Sequence, residues 1–344
     1  MIKRVSILGG GGWGLTIAKL LSEKGISVLV YEHDRGFLHS LLHHHSNPVL
    51  LEGVILSKDV LFTGELDQLC SFEPHLFINA TPSQFVRASF GELSNQLNRR
   101  SVSFWDQPSL SAIVNLAKGI EKETLLTMSE VLKQLIPPSA HKKICTLSGP
   151  SHAEEVASGI PTAVVLAGQD EALLESLQKS FSTPTFRCYR SMDIKGVEVG
   201  GAIKNIIAIA AGILDGLGFG DNTMGALLTR GIVEIQRLGI ALGANPNTLT
   251  GLSGMGDLIT TAISPHSRNR YVGKQIGLGK TLPEILDEMK MVAEGVETTR
   301  AVYDLAKSLN LDMPIVGQIY EVLYLGKNPA LAIQELMTRD LKNE

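Results

Sequence analysis

The chain has 344 residues, of which 44% are hydrophobic, and its formal net charge is -4. This length allows one large core or two domains, and two domains are the better expectation. The slightly acidic balance provides no cationic footprint for a nucleic-acid backbone, so no nucleic-acid partner is expected.

The apolar runs and the cysteines indicate the compartment. The longest apolar runs are interpreted as too short to cross a bilayer, so we expect a soluble protein without stable membrane insertion. A strand pattern begins at Ile2, so neither a signal peptide nor a transit segment is expected. Cys70, Cys145 and Cys188 lie at no metal-ligand spacing and are interpreted as small hydrophobic residues in a reduced, cytoplasmic compartment. The histidine run 43–45 lacks acidic or cysteine partners nearby in sequence, so no metal site is predicted.

Short β-rich runs alternate with helical patterns from the N-terminus to about residue 190. Strands are predicted at residues 5–8, 27–31, 76–79, 112–116, 144–147 and 163–166. Their continuous apolar character favours a mostly parallel, doubly wound sheet of the Rossmann type, with both faces covered.

Beyond residue 190 the strand signals stop, and long helical patterns follow. Loops are predicted within them at residues 216–220 and 253–256, where glycines cluster. We therefore predict an α/β protein with a Rossmann-type domain at residues 1–190 and an all-helical substrate domain at residues 191–344.

A glycine-rich turn follows the first strand. Gly9, Gly11 and Gly14 form G-x-G-x-x-G between this strand and a helical pattern, with Gly12 inside the motif. Gly9 permits the tight turn, Gly11 lets the backbone approach a pyrophosphate, and Gly14 lets the helix pack on the strand. The motif in this context predicts a dinucleotide site. Trp13 is either a core aromatic or a cover over the cofactor, and the sequence leaves both open.

The residues after the second strand bear on the choice of cofactor. Glu32 lies 23 residues after Gly9, where a carboxylate accepts from the ribose 2'-hydroxyl of NAD. His33 and Arg35 are cations suited to the 2'-phosphate of NADP. The prediction is therefore NAD(P)H with its preference unresolved and a slight lean to NAD.

A lysine interrupts an otherwise apolar helical segment at residues 200–215. Burying the Lys204 ammonium is costly unless an anion meets it, and burial lowers the pKa of a lysine towards the range useful for proton transfer. Lys204 is therefore a candidate acid and base. The alternative is a structural pair, such as Lys204 with Asp215.

A second polar set follows in the helical domain. Ser267 precedes a helical pattern and can cap it, with Arg268 and Asn269 in the first turn. Backbone N–H groups together with a guanidinium form a good phosphate seat. Together with Lys204 and Asp257, these residues lead to the hypothesis that the site binds the phosphate group of a substrate.

With these motifs in place, the chain resembles the bacterial-type NAD(P)-dependent glycerol-3-phosphate dehydrogenases over almost its entire length. The resemblance rests on motifs in the same order at residues 9–14, 115–121, 147–156, 200–220, 254–257, 267–270 and 294–296. It implies reversible hydride transfer between NAD(P)H and dihydroxyacetone phosphate. The product would be sn-glycerol 3-phosphate, the backbone precursor of phospholipids.

The resemblance also implies roles for individual residues. The implied catalytic residues are Lys204 as proton donor and acceptor, Lys118, and Asp257, which fixes a substrate hydroxyl or Lys204 itself. The implied substrate contacts are Lys118, Gly149, Ser151, Asn205, Asp257, Thr261, Ser267, Arg268 and Asn269. Together with the fingerprint analysis, the implied cofactor contacts are Gly9, Gly11, Gly12, Trp13, Gly14, Glu32, His33, Lys118, Ala153, Arg268, Val292 and Glu294.

The sequence departs from the family pattern at several places. Gly10 and Gly12 stand where alanines are common, which is expected to loosen the turn. Glu32 replaces a residue that is often small, and Leu50 and Glu52 replace a usual Tyr and Pro. Residues 104–109 resemble an extra loop.

Two other functions are compatible with parts of the pattern. One is a different two-domain dehydrogenase with a catalytic lysine, such as a hydroxyacid dehydrogenase or ketopantoate reductase. The other is a cofactor-binding sensor that performs no chemistry. The phosphate set speaks against the first and the retained Lys204 against the second. The apolar second domain favours a homodimer.

Overall fold

The computed structural model of the chain describes residues 2–97, 104–341 and 343. Two compact units are present: an α/β unit of Met1–Lys118 with Thr127–Glu198, and a helical unit of Gly119–Leu126 with Val199–Glu344. The sequence boundary at 190/191 differs from this division, which falls between Glu198 and Val199. The division between Glu198 and Val199 lies inside one continuous helix, so no loop-forming residues mark it in the sequence.

The α/β unit is built on an eight-stranded sheet. Its strands are β1 Arg4–Leu8, β2 Ser27–Tyr31, β3 Val60–Thr63, β4 Leu76–Asn79, β5 Ala112–Asn115, β6 Ile144–Ser148, β7 Thr162–Gly168 and β8 Phe186–Ser191. Their order is β3-β2-β1-β4-β5-β6-β7-β8. Every pairing is parallel except β6 with β7. The predicted mostly parallel sheet is confirmed.

All six predicted strands are present, whereas β3 and β8 were missed. These two form the edges of the sheet. Both carry exposed side chains among buried ones. Strand β8 mixes apolar and polar residues, whereas the short apolar run of β3, residues 60–62, was overlooked. Leu61 on β3 and Tyr189 on β8 are exposed examples.

Helices pack around this sheet. They are α1 Gly12–Ser22, α2 Arg35–His44, α3 Leu66–Ser71, α4 Val86–Leu97, α5 Met128–Leu135, α6 Ala153–Ala157 and α7 Glu171–Phe181. The predicted extra loop at 104–109 is partly core. Phe104 and Trp105 are buried, with ring centroids 5.9 and 5.4 Å from that of Phe77.

The cysteines behave as small hydrophobic residues, as predicted. All three are buried in the α/β unit, and no disulfide joins them. Burial raises the pKa of the Cys145 and Cys188 thiols to about 12, so both stay protonated and unreactive at neutral pH.

The helical unit contains most of α8, which starts at Ile194 in the α/β unit and enters the helical unit at Val199, and the helices after it. These are α8 Ile194–Gly216, α9 Asp221–Ala241, α10 Pro246–Leu249, α11 Asp257–Ile263, α12 Arg268–Gly277, α13 Leu282–Glu288, α14 Glu294–Ser308, α15 Pro314–Tyr324 and α16 Pro329–Met337. The predicted loop at 216–220 is present between α8 and α9. The predicted loop at 253–256 is wrong, because Leu252–Gly256 forms a π-helical turn that leads into α11.

Helix α8 is long and apolar enough to cross a membrane, which corrects the expectation that every apolar run is too short. An 18-residue window of this 23-residue helix has a mean hydropathy of 1.7, and all of that window is buried inside the protein. A helix that is apolar on all sides and buried by its own protein is a core helix. Helix α8 is therefore a core helix of this protein.

Glycines bring α8 and α12 into backbone contact. A Cβ added to Gly273 would lie 1.9 Å from the Ile209 carbonyl oxygen, and one added to Gly212 would lie 2.0 Å from that of Arg270. No side chain fits at either position. The glycines therefore serve a close helix contact, which fixes the position of α12 against α8.

Candidate functional site

The glycine-rich turn has the geometry that a dinucleotide needs. Gly9 has a φ of 115°, and a Cβ there would lie 2.9 Å from the Ala80 backbone. A Cβ on Gly14 would lie 2.1 Å from the Gly9 carbonyl oxygen. Gly11 precedes α1 and faces open space, with nothing within 4 Å of its Cβ position. A pyrophosphate can therefore approach the backbone at Gly11 and the amides of the first turn of α1. The residues present fit an NAD(P) cofactor.

Gly10 and Gly12 are tightly packed rather than loose. A Cβ on Gly10 would lie 2.6 Å from Oε2 of Glu32, and one on Gly12 would lie 2.5 Å from the Leu50 carbonyl oxygen. The alanines expected from the family pattern would collide with these atoms. At Gly10 the facing atom belongs to the Glu32 side chain, which also departs from the pattern, whereas at Gly12 it is a backbone oxygen that any residue at position 50 would present.

Glu32 is buried at the end of β2, with a relative exposure of 4%. Its Oε1 accepts a hydrogen bond from the Asp34 N–H at 2.8 Å and lies 3.1 Å from Nδ1 of His33. Burial raises the pKa of Glu32, against the lowering effect of the backbone hydrogen bond. The His33 side chain is 84% exposed. Arg35, the first residue of α2, is exposed.

Trp13 and Ala153 lie near the start of α1. Trp13 is half-buried and packs against the core of the α/β unit, with its ring centroid 6.4 Å from that of Phe186. Ala153 begins α6, and its carbonyl oxygen accepts a hydrogen bond from Oγ1 of Thr16 at 3.1 Å. Trp13 thus packs in the core of the α/β unit, which agrees with the first of its two interpretations, a core aromatic, and leaves open a further contact with the cofactor.

Lys118, Gly149 and Ser151 come together in the α/β unit. Lys118 Nζ donates to the Gly149 carbonyl oxygen at 3.0 Å, and Ser151 Oγ donates to the same oxygen at 2.9 Å. Gly149 has a φ of 135°, and a Cβ there would lie 3.0 Å from Cα of Val164. The carbonyl that orients Lys118 therefore depends on glycine at this position.

Two asparagines support this loop and were not among the predicted site residues. Asn79 and Asn115 are fully buried at the carboxyl ends of β4 and β5, and Asn79 Nδ2 donates to Asn115 Oδ1 at 2.8 Å. Asn115 Nδ2 also donates to the Ala117 carbonyl oxygen at 3.0 Å, which fixes the chain just before Lys118. The available signal was a polar residue ending each of two neighbouring apolar strands.

In the helical unit, Lys204 forms a buried triangle with Asp257 and Thr261. The Lys204 and Asp257 side chains are 8% and 3% exposed, and Nζ lies 3.0 Å from Oδ1. Lys204 Nζ donates to Thr261 Oγ1 at 2.7 Å, and this hydroxyl donates to Asp257 Oδ1 at 3.2 Å. Asp257 and Thr261 are one turn apart on α11 and face α8 together. The ammonium is therefore held in one place by an anion and a hydroxyl.

The alternative pairing of Lys204 with Asp215 is wrong. Asp215 instead binds Arg270 Nη2 at 2.8 Å and Lys274 Nζ at 3.1 Å. Eleven residues along a helix correspond to about 16 Å, beyond the reach of these side chains. The partner of Lys204 had to come from another helix.

A second polar link joins three helices next to Lys204. Asn269 Nδ2 donates to Asn205 Oδ1 at 2.9 Å, and the Gly295 N–H donates to Asn269 Oδ1 at 2.9 Å. Since Asn205 lies on α8, Asn269 on α12 and Gly295 on α14, this link sets the position of Glu294, the first residue of α14. It indicates a positioning role for Asn269 as well as the predicted substrate contact.

The remaining predicted residues lie at the starts of α12 and α14. Ser267 caps α12, as predicted, by accepting a hydrogen bond from the Arg270 N–H at 3.2 Å. Arg268 is exposed on the first turn. Val292 is half-buried just before α14. The predicted site residues thus form two sets, one in each unit.

Comparison with known proteins identifies the family. Residues 4–174 match the model described as NAD-dependent glycerol-3-phosphate dehydrogenase N-terminus, and residues 193–334 match its C-terminus. The chain belongs to the NAD-dependent glycerol-3-phosphate dehydrogenase family. The resemblance predicted from the sequence is confirmed, and so is its consequence that the chain is an NAD(P)-dependent oxidoreductase.

Individual members of the glycerol-3-phosphate dehydrogenase family match along the whole chain. "Glycerol-3-phosphate dehydrogenase [NAD(P)+]" from Geobacter sp. (strain M21) is 46% identical over 100% of this chain and 99% of its own length. The protein of the same name from Halothermothrix orenii is 44% identical over 100% and 97%. The crystal structure of glycerol-3-phosphate dehydrogenase from Coxiella burnetii has a TM-score of 0.90 at 30% identity, covering 98% of this chain and 99% of that one. The NAD(P)H cofactor, with its preference open, is confirmed.

Proposed function

We propose that this chain reversibly reduces dihydroxyacetone phosphate to sn-glycerol 3-phosphate with NAD(P)H and supplies this product to glycerophospholipid synthesis. The observation that carries the proposal is the buried Lys204–Asp257–Thr261 triangle in a chain of this family. Reduction of a ketone requires a hydride at carbon and a proton at oxygen. The nicotinamide supplies the hydride when the cofactor is bound.

Lys204 is the proposed proton donor and acceptor. Asp257 neutralises its buried ammonium, and Thr261 takes up a further donor position on Nζ. With two partners holding it, Nζ is kept in one rotamer and does not have to be ordered when the substrate arrives. In the reduction Nζ donates a proton to the substrate oxygen, and in the reverse direction Nζ takes that proton back.

Arg268 is the proposed phosphate contact. Its guanidinium is exposed on the first turn of a ten-residue helix, where backbone N–H groups and the helix dipole also favour an anion. The Ser267 hydroxyl caps this helix by accepting a hydrogen bond from the Arg270 N–H, and this cap fixes the backbone amides around Arg268. The phosphate acts as a remote handle whose binding energy orients the ketone.

Lys118 is the proposed second cation, contacting cofactor and substrate. Its Nζ is directed by the Gly149 carbonyl oxygen, so the ammonium is oriented before any ligand binds. A fixed ammonium stabilises the alkoxide that develops on the substrate oxygen without reorganisation. The same carbonyl orients Ser151, the proposed neighbouring substrate contact.

We further propose that the protein is a cytoplasmic homodimer. Three buried thiols that are not joined by disulfides suit a reduced compartment. Exposed apolar side chains on the helical unit, among them Ile240 on α9 and Ile259 and Ile263 on α11, offer surface for a second copy. Light scattering coupled to size-exclusion chromatography tests the dimer, and a mass of one chain would contradict it.

The reaction is tested by initial rates with dihydroxyacetone phosphate and NADH or NADPH. We expect cofactor oxidation that depends on the phosphorylated ketone, with much slower oxidation when unphosphorylated dihydroxyacetone or ketopantoate replaces it. Absence of oxidation, or equal rates with the phosphate-free ketones, would contradict the proposed substrate.

A further inference from the structure

Helix α2 carries two histidines on one face. His39 and His43 are four residues apart, a spacing that brings side chains together on the surface of a helix. Their ring centroids lie 4.3 Å apart, and their ring planes are inclined at 47° to each other. No metal site was predicted from residues 43–45, and the structure shows that the relevant neighbour of His43 is His39, outside that run.

Both imidazoles are available to a ligand. His39 and His43 are exposed to solvent, and neither forms a hydrogen bond or an ion pair with the residues that the structure describes. A tetrahedral metal ion with bonds of about 2.0 Å to imidazole holds its two nitrogens roughly 3.4 Å apart. Rings whose centroids lie 4.3 Å apart reach this arrangement by rotation about their side-chain bonds. The pair therefore has the geometry of a chelate.

The surroundings of the pair favour a cation. His43 lies in the last turn of α2, where the carbonyl oxygens form the negative end of the helix dipole. Arg35 lies one turn before His39 and is exposed, so solvent and salt screen its repulsion of an ion. Imidazole nitrogen is a ligand that suits Zn²⁺, Ni²⁺ and Cu²⁺, whereas Mg²⁺ and Ca²⁺ prefer oxygen.

We propose that His39 and His43 form a two-ligand site for a divalent transition-metal ion such as Zn²⁺. Among residues 2–97, 104–341 and 343, no group of three or more histidine, cysteine, aspartate or glutamate side chains is placed to hold a metal ion, so water completes the coordination. Once one imidazole binds the ion, the helix holds the other at high effective concentration, and the pair binds more tightly than one histidine. The site is independent of the proposed reaction.

The test is a calorimetric titration of the full chain, without an added histidine tag, with ZnCl₂ at about pH 7.5, where imidazole is mostly neutral. We expect one ion per chain at this site. The affinity should fall at least about tenfold in His39→Ala and in His43→Ala, because each variant loses one of two chelating ligands. His44→Ala is the matched control. This exposed histidine is on the same helix but is turned about 100° from His43, so its loss should leave the affinity unchanged.

A second metal and a spectroscopic measurement make the result specific. Cu²⁺ should bind more tightly than Zn²⁺, and MgCl₂ should give no heat that depends on His39. The paramagnetic resonance spectrum of bound Cu²⁺ should show coupling to two nitrogens in the wild type and to fewer in His39→Ala. Circular dichroism checks that each variant is folded. The proposal is overturned if Zn²⁺ does not bind, if His39→Ala and His43→Ala bind it as tightly as wild type, or if His44→Ala weakens binding equally.

Discussion

Replacing Asp257 with Asn should expose the energetic cost of holding Lys204 out of water. The two side chains are 8% and 3% exposed and their charged atoms lie 3.0 Å apart. Removing one partner of such a pair leaves an uncompensated buried charge, which costs about 3–5 kcal/mol. We therefore expect Asp257→Asn to lower the free energy of unfolding by about that amount.

A double-mutant cycle separates this charge effect from loss of packing. Lys204→Met removes the ammonium while keeping most of the side-chain length. It leaves the buried Asp257 carboxylate without its ammonium partner, while the Thr261 hydroxyl can still donate to it, so we expect a loss of the same order as for Asp257→Asn. In Lys204→Met/Asp257→Asn neither charge is left alone. The double variant should be more stable than the sum of the single losses implies, with a coupling energy of at least about 2 kcal/mol.

The assay is urea unfolding followed by circular dichroism at neutral pH for wild type and the three variants. Thr229→Ala on the exposed surface of α9 serves as a control, with an expected change within about 0.5 kcal/mol. A cost of less than about 1 kcal/mol for Asp257→Asn, or losses that simply add, would refute the claim that a buried ion pair holds Lys204.

Three further predictions test other parts of the account. Gly273→Ala on α12 should destabilise the protein by at least about 2 kcal/mol, because the new methyl would lie 1.9 Å from a backbone oxygen. The control Gly317→Ala on α15, where nothing lies within 4 Å of the new methyl, should instead stabilise the protein by about 0.5–1 kcal/mol. Equal effects of the two variants in thermal melts would contradict the contact between α8 and α12. Burial raises the pKa of Glu234 from 4.5 to about 7, so its contribution to stability is full below pH 4.5 and is lost as the pH rises to 7. Relative to Glu234→Gln, wild type should lose on the order of 3 kcal/mol of unfolding free energy over that interval, and a pH-independent difference would argue against this assignment. Arg268→Ala should raise KM for dihydroxyacetone phosphate about 10–100-fold, the value of one charge-assisted contact, and an unchanged KM would remove the phosphate seat.

Patterns carried by neighbouring residues were predictable from the sequence. Continuous apolar runs predicted the central strands. The glycine fingerprint lies between a strand and a helix, as its sequence context predicted. The cap at Ser267 was predictable because it depends on residues within one turn. Burial of Lys204 followed from the apolar helix around it.

Features that depend on distant residues were not predictable in the same way. The partner of Lys204 lies 53 positions away on α11, and spacing along α8 pointed instead to Asp215. The edge strand β8 mixes apolar and polar residues and so lacks the continuous apolar run of a central strand. The division between the units falls inside α8, where a continuous helix gives no sign of it. The tight fit of Gly10 and Gly12 depends on where Glu32 and Leu50 lie in space.

The role of Lys204 is tested most directly by the turnover number of Lys204→Ala with saturating NADH and dihydroxyacetone phosphate, together with its NADH dissociation constant. The account predicts a loss of at least about a hundredfold in kcat, the scale of general acid catalysis, with NADH binding close to that of wild type. A variant that turns over at a near-normal rate would contradict it.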